Sequence, residues 1–366
     1  MKMTPLNTVV QMLFALLRAS LHERETEQAF FQGVSTDDWK QCYRLAASQG
    51  VMALAWDGVM KLPVILQPPR SVKVLWATSV EAYEKKYWRY CSMVDEVSRF
   101  YAEHGISTMQ LKGVGFSTLY PVPCHREGGD IDIYTYSADK NRMSDQDANR
   151  LADTMMQQKD IEVDTEHSPK HSNFYYKGIP FENHKTFLNV EIYKVAVQVD
   201  RLLHENMSPT LVSLKVGEVM IPSPVFNTMF IAFHALQHYG SGLALHHLCD
   251  WVMILRRYGL QIPEEIKDKK LLAGIGALTR LCNQYLGTSQ VIEGGECIAD
   301  EMMQEILFPS YSSEEPTCNK VGILLYKTKR MFHRHRLNNK VLDSSLAEHI
   351  GKSFLRHVFH PETIFH

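Results

Sequence analysis

Two aspartates that alternate with isoleucines constrain the fold of this chain more than any other feature. The segment is Gly-Gly-Asp-Ile-Asp-Ile-Tyr, with the acids at Asp130 and Asp132. Successive side chains of a β-strand point to opposite faces, so the two acids share one face, with Cα atoms roughly 6–7 Å apart. Ile131 and Ile133 then face the other way and can pack into a core. The sequence therefore predicts a strand with one acidic face and one apolar face.

The hydrophobic periodicity divides the chain into three regions. Residues 1–105 and 224–366 carry apolar residues at helical spacing, whereas residues 106–223 contain short alternating segments separated by turn residues. We predict an α+β fold in which a small mixed-sheet core is flanked by N-terminal and C-terminal helical segments.

Local signals add detail to this division. Thr36 is the expected N-cap of a helix whose first turn is acidic. Ser144 is expected to cap a second helix over residues 144–158. Lys177-Gly178 is the expected turn of a β-hairpin.

Charge and cysteine content exclude some classes of protein. The 39 basic and 41 acidic residues give a net charge of -2, so the chain lacks the global positive field of many nucleic-acid binders. The seven cysteines include no CxxC pair, which favours reduced thiols over a disulfide framework or a zinc ribbon. A run of about 18 apolar residues, which a membrane span requires, is absent. Residues 1–25 are expected to form an amphipathic helix rather than a signal peptide, so a cytoplasmic protein is the expectation.

Two carboxylates this close together repel each other unless a positive charge lies near both. Mg²⁺ prefers oxygen ligands, often one or two carboxylates together with phosphate oxygens. A third carboxylate would let the site hold two ions, one activating an attacking oxygen and one steadying a leaving group. Gly128 and Gly129 give a substrate access to the backbone, and Arg126 is placed to reach a phosphate. This context favours a metal and phosphate site over an ordinary surface strand.

The arrangement of "LKG", then an arginine and "GDIDIY" after a short helix, resembles the DNA polymerase beta-like nucleotidyltransferase superfamily. It is most similar to the uncharacterised bacterial nucleotidyltransferases with an "LKG … R..GDIDL … ELH" pattern. The resemblance covers roughly residues 106–190. It implies that Lys112 and Gly113 bind the triphosphate, that Asp130 and Asp132 bind metal, and that a third acid comes from a later strand.

Two glutamates compete for the position of the third acid. Glu182 lies in "ENH", which resembles the family's "ELH", and is expected on the return strand of the hairpin. Glu191 follows in "LNVEIYK" and can already lie on a helix. We favour Glu182 and leave Glu191 open.

A histidine-rich segment offers a different kind of site. His234 and His238 are four residues apart on an expected helix and therefore share a face, and Asp250 follows on the next helix. Two histidines and a carboxylate can hold zinc or iron, which gives a weaker alternative, a metallohydrolase. We favour a role in lining the cleft, together with His184.

The residues and the resemblance together favour a metal-dependent nucleotidyltransferase. It would move a nucleoside monophosphate from an NTP to an acceptor hydroxyl and release pyrophosphate, with Mg²⁺ or Mn²⁺ bound as two ions. The nearly neutral chain favours a small molecule or a protein as acceptor over a long nucleic acid. The alternative is a catalytically degenerate module that binds a nucleotide or a partner protein.

Overall fold

Within residues 7–105, four α-helices precede the first strand. The computed structural model describes residues 7–311 and 320–343. The first helices are α1 (Thr8–Leu21), α2 (Thr36–Ser48), α3 (Met52–Met60) and α4 (Arg70–Ala102). The long helix α4 ends just before Gly105, whose φ of +75° is in the left-handed region that favours glycine after a helix.

A seven-stranded mixed sheet follows. Its strands are β1 (Ile106–Gln110), β2 (Ile131–Ser137), β3 (Val163–Asp164), β4 (His171–Tyr176), β5 (Ile179–His184), β6 (Thr210–Ser213) and β7 (Glu218–Ile221). They lie in the order β3-β4-β5-β2-β1-β7-β6. Strand β2 runs antiparallel to β1 and parallel to β5. The β4–β5 hairpin turns at Lys177-Gly178, where both residues have positive φ, as the predicted tight turn requires.

The remaining helices connect strands or follow the sheet. Those within the sheet region are α5 (Gly113–Ser117), α6 (Asp145–Gln157) and α7 (Lys194–Glu205). Those after it are α8 (Pro224–Gln237), α9 (Leu245–Arg257), α10 (Lys269–Tyr285), α11 (Glu296–Leu307) and α12 (Lys320–Val341). The predicted α+β fold, a mixed sheet flanked by helices, is confirmed.

Buried apolar side chains form two clusters. One joins helices from both sides of the sheet region, and in it Phe14 of α1 stacks on Tyr285 of α10 with ring centroids 5.1 Å apart. The other packs against the sheet and contains Ile131, Ile133 and Phe181. The apolar face predicted for β2 is therefore present. The region boundaries at residues 105 and 223 stay predictions.

Two local predictions near the N-terminus are wrong. The N-cap of α2 is Ser35 rather than Thr36, because the Ser35 hydroxyl accepts the Asp38 N–H at 3.1 Å and the Asp38 carboxylate accepts the Ser35 N–H at 3.0 Å. Helix α1 is buried around most of its surface, whereas an amphipathic helix is buried on one face only. A helix with so few polar residues is stable when it is surrounded by the protein core. Ser144 caps α6 as predicted. Within the described residues, no helix is both long and apolar enough to cross a membrane.

Candidate active site

The parallel pairing of β2 with β5 brings two acids side by side. Asp132 is paired with Glu182 in the register of these strands. His184 lies two residues after Glu182 and therefore on the same face of β5. Asp132, Glu182 and His184 each offer one ligand atom within 4.8 Å of the others. One face of these two interior strands thus gathers donor types that bind divalent cations.

Asp132 is fully buried, with a histidine ring beside one carboxylate oxygen and a lysine ammonium group beside the other. Its Oδ1 accepts a hydrogen bond from His184 Nε2 at 3.1 Å, and its Oδ2 lies 3.1 Å from Lys112 Nζ. Burial alone would raise the pKa of Asp132, but the Lys112 charge and the His184 hydrogen bond outweigh it and hold the pKa well below its usual range. Asp132 is therefore ionised at neutral pH.

Asp130 lies one residue before β2 and is more exposed. Its Oδ1 is 3.8 Å from the same Lys112 ammonium group, and its side chain is 35% exposed. Burial and the neighbouring Asp132 carboxylate raise the pKa of Asp130. A divalent cation near both carboxylates would lower that pKa again.

Lys112 and Gly113 lie where β1 leads into α5. Gly113 has a φ of +63°, so the sharp turn at this point favours glycine. The Lys112 ammonium group also lies 3.5 Å from His234 Nε2. Burial would lower the pKa of Lys112, but the charges of Asp132 and Asp130 raise it overall. A permanent positive charge therefore lies beside the acids.

Most of this chain is similar to one known protein family. Residues 35–287 match the model of a family described as uncharacterised nucleotidyltransferase, and this range includes the whole sheet and every site residue described above. The chain belongs to this nucleotidyltransferase family. No curated protein and no solved structure gives a significant match. The predicted resemblance is confirmed at this level, and the closer similarity to the bacterial group stays a prediction.

The two candidates for the third acid lie in different places. Glu182 is on β5, with its Oε2 3.6 Å from His184 Nε2 and 3.6 Å from His171 Nε2. Glu191 is exposed in a turn before α7 and not on the helix. The geometry favours Glu182, whose catalytic role stays a prediction.

Asn183 explains why Glu182 and His184 face the acids. Its buried side chain lies on the opposite face of β5, where Oδ1 accepts hydrogen bonds from Thr135 Oγ1 at 2.9 Å and Asn149 Nδ2 at 3.0 Å. Its Nδ2 donates to Asp153 Oδ1 at 2.9 Å. These bonds attach β5 to β2 and α6 and fix which residues of β5 face the site.

Arg126 forms a buried ion pair with Asp250 of α9. The Nε and Nη2 atoms donate to the two carboxylate oxygens at 2.8 Å and 2.7 Å, and the side chains are only 9% and 7% exposed. The Tyr120 hydroxyl donates to the same carboxylate at 2.5 Å. The sequence predicts that Arg126 binds phosphate and that Asp250 lies with the histidines. In the structure, Arg126 and Asp250 instead pair with each other. Arg126 also reaches the Gly113 carbonyl at 3.4 Å, so it connects the loop before Asp130 to the turn at Gly113.

Helix α4 holds the loop that contains Gly128 and Gly129. Lys86 Nζ donates to the Gly128 carbonyl at 2.8 Å, and the Tyr90 hydroxyl donates to the Gly129 carbonyl at 3.0 Å. A small cavity between α4 and this loop extends to Asp130. A Cβ added at Gly129 would meet no heavy atom of the described residues within 4 Å. The backbone is therefore open on the side of Gly129 where a side chain would lie, and the predicted contact of the glycine pair with substrate stays a prediction.

The histidines form a separate group beside Lys112. His234, His238 and His247 each offer a ligand atom within 4.8 Å of the others, so the third member is His247 and not the predicted Asp250. Burial lowers the pKa of His238 to about 4, which leaves the ring neutral at neutral pH.

A metal ion in this histidine group is disfavoured by two observations. The Ala244 N–H donates to His247 Nδ1 at 3.1 Å, so in the neutral ring Nε2 carries the proton and has no lone pair for a metal. The Lys112 ammonium group, 3.5 Å from His234, would repel a cation, and the three histidines include no carboxylate to offset that repulsion as the acidic cluster does. The group is consistent with the cleft-lining role that we favoured.

Lys170 and His171, which sequence analysis missed, approach the acids from the start of β4. Burial lowers the pKa of Lys170 despite the attraction of Asp132. The hairpin register pairs His171 with His184. Counting back from the predicted turn at Lys177-Gly178 gives this same pairing, so the turn was the signal that could have found these residues.

The acidic cluster fits a magnesium or manganese ion. Among the described residues, Asp132 Oδ2 is buried without an aligned hydrogen-bond donor, although Lys112 Nζ lies at ion-pair distance. Asp130 and Glu182 offer further carboxylate oxygens on the more exposed side. Mg²⁺ and Mn²⁺ prefer such oxygen-rich sites.

Proposed function

We propose that the protein transfers a nucleoside monophosphate from an NTP to an acceptor hydroxyl and releases pyrophosphate, in a reaction that depends on a divalent metal. The observation that carries this proposal is the convergence of Asp130, Asp132 and Glu182 around the Lys112 ammonium group in a member of a nucleotidyltransferase family. Phosphoryl transfer depends mainly on positioning and electrostatic stabilisation, and this arrangement supports both.

Each residue of the cluster has a role in the proposal. Asp130, Asp132 and Glu182 would hold two Mg²⁺ or Mn²⁺ ions, which when bound make the acceptor hydroxyl more acidic and neutralise phosphate charge. Lys112 would add positive charge at the triphosphate. Glu182 is partly exposed, whereas Asp132 is fully buried, so Glu182 is the better placed to accept the hydroxyl proton.

The neighbouring backbone would bind the nucleotide. Gly113, Gly128 and Gly129 would allow the phosphates to approach the main chain closely. Arg126 is already paired with Asp250, so we propose that it positions the Gly113 turn instead of binding phosphate directly.

The acceptor is proposed to be a small molecule or a protein. The net charge of -2 gives the chain no general attraction for a polyanion, whereas long nucleic acids are bound largely through phosphate neutralisation. The labelling experiment below identifies the acceptor directly.

The proposal is tested with purified protein, Mg²⁺ or Mn²⁺, an added cell extract and each α-labelled NTP in turn. We expect transfer of label that requires the metal and falls by about 10²-fold or more in Asp130→Asn. Asp130→Asn is preferred to Asp132→Asn because Asp132 is fully buried and paired with Lys112, so its replacement also threatens the fold.

The matched control is Asp300→Asn, the same substitution at an exposed position on α11. Equal labelling by wild type, Asp300→Asn and Asp130→Asn would contradict the proposal. Metal-dependent binding of a non-hydrolysable NTP without any transfer would instead support the degenerate binding module.

A further inference from the structure

A second cluster of possible metal ligands lies where α4 meets the loop leading to Asp130. Glu84 belongs to α4, and Cys124 and His125 belong to a short 3₁₀ helix in that loop. One atom from each of the three residues lies within 4.8 Å of the others. We propose that Glu84, Cys124 and His125 bind a Zn²⁺-like divalent cation, independently of the acidic cluster.

His125 is oriented in the manner of a metal ligand. Its Nδ1 lies 2.8 Å from Asp57 Oδ1, and its Nε2 lies 2.9 Å from Glu84 Oε1. With Nδ1–H donating a hydrogen bond to Asp57, a ring that has lost its Nε2 proton has a lone pair on Nε2, in the space that it shares with Glu84 and Cys124. A carboxylate that fixes the far nitrogen of a histidine is the usual outer partner of a zinc-binding histidine.

The charge of the cluster also favours a cation. The Asp57 and Glu84 carboxylates lie on either side of the His125 ring, at 2.8 Å and 2.9 Å from its two nitrogens, so a positive charge between them is stabilised. A bound Zn²⁺ would replace the His125 Nε2 proton and the Cys124 thiol proton, releasing both to solvent.

The donor set selects the kind of metal. One sulfur, one imidazole nitrogen and one carboxylate oxygen suit Zn²⁺, whereas Mg²⁺ prefers oxygen ligands. The Glu84 side chain is 40% exposed, so an ion can enter from solvent and water can supply the fourth ligand. The ion would tie the loop between Cys124 and Asp130 to α4, which positions the neighbouring acids.

Cobalt is the probe for this site, because Co²⁺ takes the place of Zn²⁺ and its bond to a thiolate gives a charge-transfer absorption band. Chelator-treated full-length protein is titrated with Co²⁺ in the presence of excess Mg²⁺, and bound cobalt is counted after gel filtration. We expect about one tightly bound Co²⁺ per chain, with the thiolate band, displaced by Zn²⁺. Both signals should be lost in Cys124→Ser, whose side chain is nearly the same size.

Three further variants make the result specific. Cys297→Ser changes an exposed cysteine on α11 and should keep the band. His238→Ala tests the histidine group and should also keep it. Asp57→Asn should weaken cobalt binding by about 10-fold or more, because the orienting carboxylate charge is lost.

The proposal is overturned by any of three outcomes. Folded wild type, checked by circular dichroism, takes up no stoichiometric cobalt. Cobalt binds without a thiolate band, or the band survives in Cys124→Ser. Uptake is lost in His238→Ala while Cys124→Ser retains it.

Discussion

Replacing Arg126 with methionine is expected to destabilise the fold by about 3–5 kcal/mol, because the change leaves the Asp250 carboxylate buried without its cation. In the native protein this carboxylate accepts two hydrogen bonds from Arg126 at 2.8 Å and 2.7 Å, and both side chains are less than a tenth exposed. The Tyr120 hydroxyl would remain as a donor to Asp250, so the loss should fall toward the lower end of this range. Methionine keeps much of the side-chain volume, so the effect reports the ion pair more than a cavity.

A matched control comes from an exposed ion pair of the same chemical type. Arg150 pairs with Asp147 on the surface of α6, where the two side chains are 73% and 55% exposed. Arg150→Met should change the free energy of unfolding by about 0.2–1 kcal/mol at most. Both variants are compared by urea unfolding, followed by tryptophan fluorescence and circular dichroism, with coincident transitions as the check on two-state behaviour.

The double variant Arg126→Met/Asp250→Leu isolates the buried charge. It removes the unpaired carboxylate, so it should be more stable than Arg126→Met by about 1 kcal/mol or more, although the Tyr120 hydroxyl then lacks its acceptor. Equal unfolding free energies for Arg126→Met and Arg150→Met would refute the reasoning. That result would make Arg126 available for the substrate phosphate, as its sequence context first indicated.

Three other predictions test the site and its surroundings. Glu182→Gln should lower nucleotidyl transfer by about 10²-fold or more, whereas Glu191→Gln should leave it near the wild-type rate, and the reverse order would make Glu191 the third acid. Gly113→Ala should lower the free energy of unfolding by about 1–2 kcal/mol, because an alanine Cβ fits the space at this position but a φ of +63° is unfavourable for alanine. An unchanged urea midpoint would contradict this prediction. Burial lowers the pKa of His238 from 6.5 to about 4. Between pH 6.5 and about 4 the unfolded chain therefore binds more protons than the folded protein, so the free energy of unfolding falls as the pH drops through this window. His238→Gln should remove on the order of 3 kcal/mol of that pH dependence, measured by urea unfolding across the window, and an unchanged slope would contradict it.

Local patterns were sufficient to predict the elements that carry the site. Strand β2 follows from the alternation around Asp130 and Asp132, because that pattern buries apolar groups only in an extended chain. The β4–β5 hairpin follows from Lys177-Gly178, because glycine at positive φ allows the tight turn. Predictions of this kind depend on residues only a few positions apart.

Long-range pairing could not be predicted in the same way. Asp132 and Glu182 lie side by side because β2 and β5 pair in parallel. These two strands are separated along the chain by α6, β3 and β4. Arg126 and Asp250 are 124 residues apart, and nothing near either residue in the sequence indicates the other. The prediction that Arg126 binds phosphate is wrong for the same reason, since an arginine near a glycine loop is compatible with either partner and the structure pairs it with Asp250.

Helix α4 shows how far the site depends on residues outside the predicted core of residues 106–223. Lys86 and Tyr90 each donate a hydrogen bond to a carbonyl of the glycine pair before Asp130, and the Tyr87 hydroxyl lies 2.9 Å from the Ser117 hydroxyl at the end of α5. These contacts cross the predicted boundary at residue 105. They attach both the loop before Asp130 and helix α5 to helix α4. Because the proposed phosphoryl transfer would depend on holding these groups in fixed positions, α4 is better regarded as part of the candidate site's support than as an appended segment.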